Sequence, residues 1–511
     1  MKKILFIGFL LFVQYGFAQQ QPTEVQIRYA LNLFGQNLKK HNIKSISDVL
    51  DETFHVAEYR DRDLTNVLPQ LINPVVLDTV YFEPIVKKND KIYAKMVAVP
   101  KTGPKMQSWL RMNNFLAFER IGHFEQLMGL RDPVFQELQP AKLLAKTAIS
   151  RSSGLMFVEV SITGSDKKYN FLFDSGAGAT TLSEGLATSL NLKVNQKAID
   201  IKTAGNAGQF KTIDTLGLNI AGVKVRGKQV VIANLSSLQA AVGHQLDGII
   251  GFDLLKDYQV AVNLDEREMS IYNFGHFEHI GKNILPIQLT NNIPKVNVKL
   301  KVDGVDYPTR LTFDTGAGGS IYGNYFLNAY TDGLVDKLKY KSTSASMDLN
   351  SQISKSEIGL IDEIEIAGMP LSNPSIALDL PAEQPAYGFT QHGLLGMSLI
   401  GRFNLLFNYN LNYIELKPNK TFSTPLVPLY ILGLGFKQEG NKFILKHVDE
   451  KGTAFQAGLR TGDELYFINK IKPTSVDQIT QELRGLSKNA IVIEVIRKQK
   501  TMKFDLMKLS I

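Results

Sequence analysis

A duplication constrains this chain more than any other feature. The stretch LMFVEVSITGSDKKYNFLFDSGAGATTLS, from Leu155, is echoed by IPKVNVKLKVDGVDYPTRLTFDTGAGGSIYG, from Ile293. Each copy reads as strand, turn, strand, then Asp-Ser/Thr-Gly-Ala-Gly. Downstream, DGIIGFDLL is matched by HGLLGMSLI, and YQVAVNLDEREMSIY by FNLLFNYNLNYIEL. Asp174 and Asp314 are 140 residues apart and Gly251 and Gly396 are 145 apart, so the copies differ between these marks by only five residues. A repeat in register implies two similar β units related by a pseudo-twofold axis.

The chemistry of the repeat follows from its residue types. In FLFDSGAG and LTFDTGAG an apolar strand delivers an Asp at its end, so the carboxylate rides on a rigid element. Ser175 or Thr315 follows with a hydroxyl able to bond the partner loop, and Gly176 or Gly316 permits a sharp turn and close backbone approach. Two such loops meeting on a twofold axis would bring Asp174 and Asp314 together. Two carboxylates a few ångströms apart in a poorly solvated site share one proton, because repulsion drives their pKa values apart. One can then act as general base on water while the other donates a proton to a carbonyl oxygen. No metal, cofactor or nucleophilic Ser or Cys is required.

A single Asp-Thr-Gly is a common turn at a strand end. Two in register, each followed by its own glycine mark, are specific. This pattern, covering roughly residues 154–418, resembles the aspartic peptidases, particularly the retropepsin-like ones, in which two carboxylates share a proton. The resemblance implies Asp174 and Asp314 as the catalytic pair, Ser175 and Thr315 as the residues that lock the two loops, and Gly176 and Gly316 as loop support. It implies that Gly251 and Gly396 let a second segment pack under each loop. The short units favour two retropepsin-like lobes fused in one chain, working as a monomer with an intramolecular pseudo-dimer. One departure stands out. The flap candidates, IKTAGNAGQF (201–210) and STSASMDL (342–349), lack the Tyr found in pepsin flaps.

The last segment is a third kind of unit. Gly433, Leu434, Gly435 and Phe436, followed by GTAFQAGLRTGDELYFINK (452–470), resemble a PDZ domain. The resemblance implies that Gly433–Phe436 form the loop whose N–H groups receive a peptide carboxylate. It also implies that TSVDQITQELRG (474–485) is the helix bordering the groove. A PDZ fold that never binds a free C-terminus is the alternative.

The chain of 511 residues has room for several cores, and its hydrophobic content of 44% with 21% charged residues is that of ordinary globular protein. The formal charge of +8 is spread along the chain without a dense basic run, which argues against a nucleic-acid partner. The opening MKKILFIGFLLFVQYGFAQQQ has a basic end, an apolar run and small residues Gly16 and Ala18 before Gln19, the pattern of a signal peptide spanning 1–18. No later stretch is long and apolar enough to be expected to span a bilayer. With no cysteine, disulfides, thiolate metal sites and a Cys nucleophile are excluded. Export without disulfides points to a bacterial envelope or secreted protein, periplasmic or extracellular.

Between leader and repeat, residues 19–130 read as an α+β accessory domain. Ile27, Ala30, Leu31, Phe34 and Leu38 share one helical face, VVLDTVYF and KIYAKMVAVP read as strands, and QSWLRMNNFLAFERIGHFEQLMGL reads as a helix. Trp109 is expected to pack against that domain's core, and residues 131–153 are expected to be a linker. His276 and His279 lack an evident third ligand and read as a surface turn rather than a zinc site. Asp247 reads as a turn residue, since His392 takes its place in the second copy.

The expected architecture is mainly β with α+β parts. It comprises lobe 1 at 154–280, lobe 2 at 281–420 and a PDZ β-barrel at 424–511. The expected function is hydrolysis of peptides or unfolded protein by an exported aspartic endopeptidase, with a PDZ module to dock a peptide, a protein C-terminus or a partner. A peptide-binding protein that cleaves slowly or never, or a latent regulatory peptidase, is the alternative. The presence of both aspartates favours the enzyme.

Overall fold

The computed structural model describes residues 21–511 apart from 58, 60, 61, 89, 131, 166, 203–206, 276–282, 348–352, 380–391, 427–431, 451, 484–489 and 507–511. The chain is mainly β and divides into two compact units, Met1–Leu138 and Gln139–Ile511. The leader 1–18 lies outside the described residues, as do His276 and His279. Among the described residues, no helix is long and apolar enough to cross a membrane.

In the first unit the helix Glu24–Lys39 begins at a capping box between Thr23 and Gln26 and buries Ile27, Leu31, Phe34 and Leu38. It packs on an antiparallel sheet of four strands, Leu77–Lys88, Lys91–Pro100, Met106–Met112 and Phe118–Ile121. The expected helix from Gln107 onward is therefore two strands followed by the short helix Gly122–Leu127. Ser108, Leu110 and Met112 are buried while Trp109 and Arg111 are less so, a period of two that the apolar content masked. Trp109 consequently sits on the less buried face and is not among the residues packed against the core of this unit.

Asp132 organises the end of this unit. Its carboxylate accepts from the N–H groups of Val134 and Phe135, at 3.0 Å each, and of Trp109 at 2.5 Å. It thereby caps the helix Pro133–Leu138 and ties it to the sheet. Burial raises its pKa to about 6 despite these bonds. Asp132→Ala strands buried donors, and thermal or urea unfolding of the protein is expected to show a loss of about 2 kcal/mol.

Residues 131–153 are not a linker. They contain the helix Pro133–Leu138 and the strand Leu143–Ser152, which pairs both with Leu155–Ile162 and with Glu268–Tyr272. The strand is thus integral to the second unit.

In that unit the same pairings occur twice. Lys168–Phe173 pairs antiparallel with Leu155–Ile162 and parallel with Gly248–Ile250, which also pairs antiparallel with Thr181–Ser183. Val305–Phe313 pairs in the same way with Ile293–Val302 and with Gly393–Leu395, and the latter with Ile321–Gly323. A six-stranded antiparallel sheet joins the copies, in the order Leu143–Ser152, Glu268–Tyr272, Gln259–Asn263, Phe403–Asn408, Tyr413–Pro418, Asn283–Thr290. Its two central strands come one from each copy, Val260 opposite Phe407. A single core of buried residues runs from Ala145 to Leu416 through both copies.

The C-terminal strands form an antiparallel meander of five: Leu434–Glu439, Lys442–Val448, Glu464–Ile468, Ile491–Arg497 and Lys500–Leu506. Where a barrel was expected, the first and last of these each pair on one side only among the described residues, leaving the sheet open. The short helix Val476–Leu483 buries Ile479 and Leu483 in the core of this sheet.

Candidate active site

The two Asp loops meet at the centre of the second unit. Each is held from beneath by its own copy, with Asp174 N–H bonding to Ile250 O at 2.9 Å and Asp314 N–H to Leu395 O at 3.0 Å. The next segment then turns tightly under the loop. A Cβ on Gly251 would lie 1.9 Å from Asp174 O, and one on Gly396 would lie 2.4 Å from Gly319 O, so neither position admits a side chain.

Ser175 and Thr315, both fully buried, lock the loops to each other. Ser175 Oγ donates to Phe313 O at 2.7 Å and accepts from Thr315 N–H at 3.1 Å. Thr315 Oγ1 donates to Phe173 O at 2.9 Å and accepts from Ser175 N–H at 2.9 Å. These four bonds are reciprocal, as a twofold relation demands. A Cβ on Gly176 would fall 2.6 Å from the Asp314 carboxyl carbon, and one on Gly316 2.4 Å from that of Asp174. Glycine is therefore required on each side because the opposite carboxylate occupies the space.

Asp174 and Asp314 lie within hydrogen-bonding reach of one another. Gly176 N–H donates to Asp174 Oδ1 at 2.7 Å, and Gly316 N–H to Asp314 Oδ1 at 2.8 Å. Burial, the charge of Asp314 and the bond between the two hold the Asp174 carboxyl well above its ordinary range. Burial also raises Asp314, but the bond from Asp174, the N–H groups of its own loop and the nearby Lys295 oppose the rise. The arrangement can hold one proton between two oxygens.

Several residues at this centre were not apparent in the sequence. Phe407 packs edge-on against both Phe173 and Phe313, at 5.5 and 6.1 Å between centroids, which supports the pair of loops from below. Tyr409 is buried near both aspartates, and its hydroxyl is held strongly protonated by burial and their charge. Tyr322 OH accepts from Gly319 N–H at 3.1 Å, with burial raising its pKa. Lys295 is only 9% exposed and lies near Asp314. Comparison of the copies carries the one sequence signal for it, since its counterpart is Phe157.

Asp247 and His392 also take equivalent places. Asp247 Oδ2 accepts from Asn170 N–H at 2.8 Å, and His392 Nδ1 accepts from Arg310 N–H at 3.4 Å. Both serve strand ends. The arms of the flap candidates pair as hairpins, Ala207 with Lys202 and Met347 with Ile353, and their tips lie outside the described residues. No cluster of three His, Asp or Glu side chains suited to a metal occurs among the described residues. Gly433 has a left-handed φ of 66° and leads into the strand Leu434–Glu439, on which Gly435 and Phe436 lie.

Residues 158–257 match a family model described as "gag-polyprotein putative aspartyl protease". The matched segment contains Asp174, Ser175, Gly176 and Gly251 from the first copy. Among solved structures, an aspartic proteinase from Irpex lacteus is similar over 55% of this chain and 98% of its own, at 12% identity and a TM-score of 0.33. No curated protein matches the chain.

Proposed function

We propose that the chain is an aspartic-type endopeptidase whose two lobes, one from each copy, supply Asp174 and Asp314 to one site. The observation that carries this reading is the reciprocal lock of Ser175 and Thr315, which brings the two carboxylates into contact. The match of 158–257 to an aspartyl protease family supports it.

In this reading Asp314 takes a proton from a bound water as the water attacks a peptide carbonyl. Asp174 donates its proton to the carbonyl oxygen, giving a neutral tetrahedral intermediate. Asp314 then passes its proton to the amine nitrogen as the C–N bond breaks, and a hydroxyl of the intermediate returns a proton to Asp174, which releases two chains and restores the starting state. The rigid loops fix both oxygens before the substrate arrives.

We also read residues 424–511 as a PDZ-like docking module. The strand Leu434–Glu439 has an unpaired outer edge among the described residues, and a peptide could add there as a further strand, with its carboxylate at the turn of Gly433. Export, periplasmic or extracellular, completes the reading, resting on the leader pattern.

The test is incubation with an unfolded polypeptide from acidic to neutral pH in ¹⁸O-labelled water. New C-terminal carboxylates carrying the label are expected from the native protein and none from Asp174→Asn/Asp314→Asn. Absence of cleavage at every pH, or cleavage that survives the double substitution, overturns the assignment.

A further inference from the structure

The two halves of the site differ in charge. Lys295 stands directly opposite Thr312 across the pair of strands leading to Asp314, and its ammonium donates to Thr312 Oγ1 at 2.6 Å. Opposed residues share a face, as do residues two apart along a strand, so Lys295, Arg310 and Thr312 lie on the face that ends at Asp314. Gln288 lies opposite Lys295 on the other side and accepts from the Arg310 guanidinium. Two cations thus sit side by side near the reacting centre, and both side chains are partly or wholly desolvated.

Neither forms an ion pair among the described residues, although the charge of Asp314 acts favourably on Lys295. Thr312 and Gln288, their hydrogen-bond partners, are neutral. Burying a cation without a counter-charge is costly, and two neighbouring cations add repulsion. The cost is visible in Lys295, whose pKa falls to about 8 through burial and the charge of Arg310. Fold stability does not explain the pair, because the first copy manages with uncharged residues. There Phe157 stands opposite Leu172 and Asn170 replaces Arg310, and both Phe157 and Leu172 are buried.

Resting on the peptidase reading above, we propose that Lys295, Arg310 and Thr312 form a subsite for a carboxylate of the substrate. The protein thereby selects chains bearing Glu or Asp on the Asp314 side of the scissile bond. A side-chain carboxylate entering there adds a counter-charge where Lys295 otherwise feels only that of Asp314, and it accepts hydrogen bonds from both cations. Thr312 orients the ammonium. A neutral side chain in its place leaves the repulsion between the two cations unrelieved, which gives discrimination by penalty as well as attraction.

The experiment uses decapeptides in which one Glu is walked through an otherwise neutral sequence, beside the same series with Gln, each with a free or an amidated C-terminus. Binding is read by fluorescence anisotropy on full-length Asp174→Asn protein, and cleavage on the native protein. At one position Glu is expected to bind about tenfold or more tightly than Gln in both free and amidated peptides. That preference should vanish when Lys295→Met is added, survive Lys295→Arg, and weaken with Arg310→Gln, which removes one of the two cations and relieves the repulsion on Lys295. Equal binding of Glu and Gln peptides at every position overturns the subsite, as does a preference that amidation abolishes, since the terminal carboxylate would then be the ligand. Binding preference without cleavage would sink the peptidase reading and leave the carboxylate site standing.

Discussion

Asp174→Asn is expected to lower kcat/KM for peptide cleavage by about 10³-fold or more while leaving the protein at least as stable as before. The activity loss follows because an amide cannot hold the proton that the pair shares. The stability expectation comes from the sign of the pKa shift. Burial and Asp314 raise the Asp174 carboxyl above its unfolded value of 3.8. The folded state therefore binds more protons than the unfolded state between those two pKa values, and native stability falls as pH rises through that window. Asn carries no such term and retains an oxygen for Gly176 N–H. Melting temperatures of the two proteins should agree near pH 3 and separate in favour of the variant toward neutral pH. A variant that loses activity together with stability at pH 7 would mean that Asp174 supports the fold instead of the chemistry.

Ser175→Ala carries the second large effect. It strips Phe313 O and Thr315 N–H of their partner in a fully buried setting, at about 1–3 kcal/mol each. Thr315→Val does the same to Phe173 O and Ser175 N–H. Calorimetry should show several kcal/mol lost in each single variant. The double variant should lose less than the sum, because the loops are already free to part once one hydroxyl has gone. Activity is expected to fall in parallel, since a displacement of about 1 Å between the carboxylates costs on the order of 10²-fold. Ser175→Thr keeps the hydroxyl and should restore both properties. Additive stability losses with unchanged cleavage would show that the lock does not position the pair.

Much of this could be read before any fold was known, for a physical reason. Strand–turn–strand patterns, the Asp-Ser/Thr-Gly loops and the glycines at 251 and 396 are local demands of backbone geometry. A repeat prints each of them twice, so every accidental match is tested by its partner. That logic reached Asp174, Asp314, Ser175 and Thr315, which the structure brings together. It failed where local pattern was ambiguous. Met106–Met112 is rich in large side chains that suit either period, and only burial of alternate residues against the sheet made it a strand.

The sequence alone determined which residues carry carboxylates, where the chain must turn tightly, and that two units share one plan. Tertiary structure decided what those residues meet. Strands from the two copies pair at the centre of one six-stranded sheet, and Leu143–Ser152 joins its edge where a linker was expected. A lysine in an alternating strand ordinarily reads as a solvated face. The asymmetry of the site lay hidden until pairing set Lys295 opposite Thr312, on the face of Asp314 and beside the like charge of Arg310. Pairing over such separations depends on burial and on the electrostatics of groups far apart in the chain, and neither is written in a local pattern.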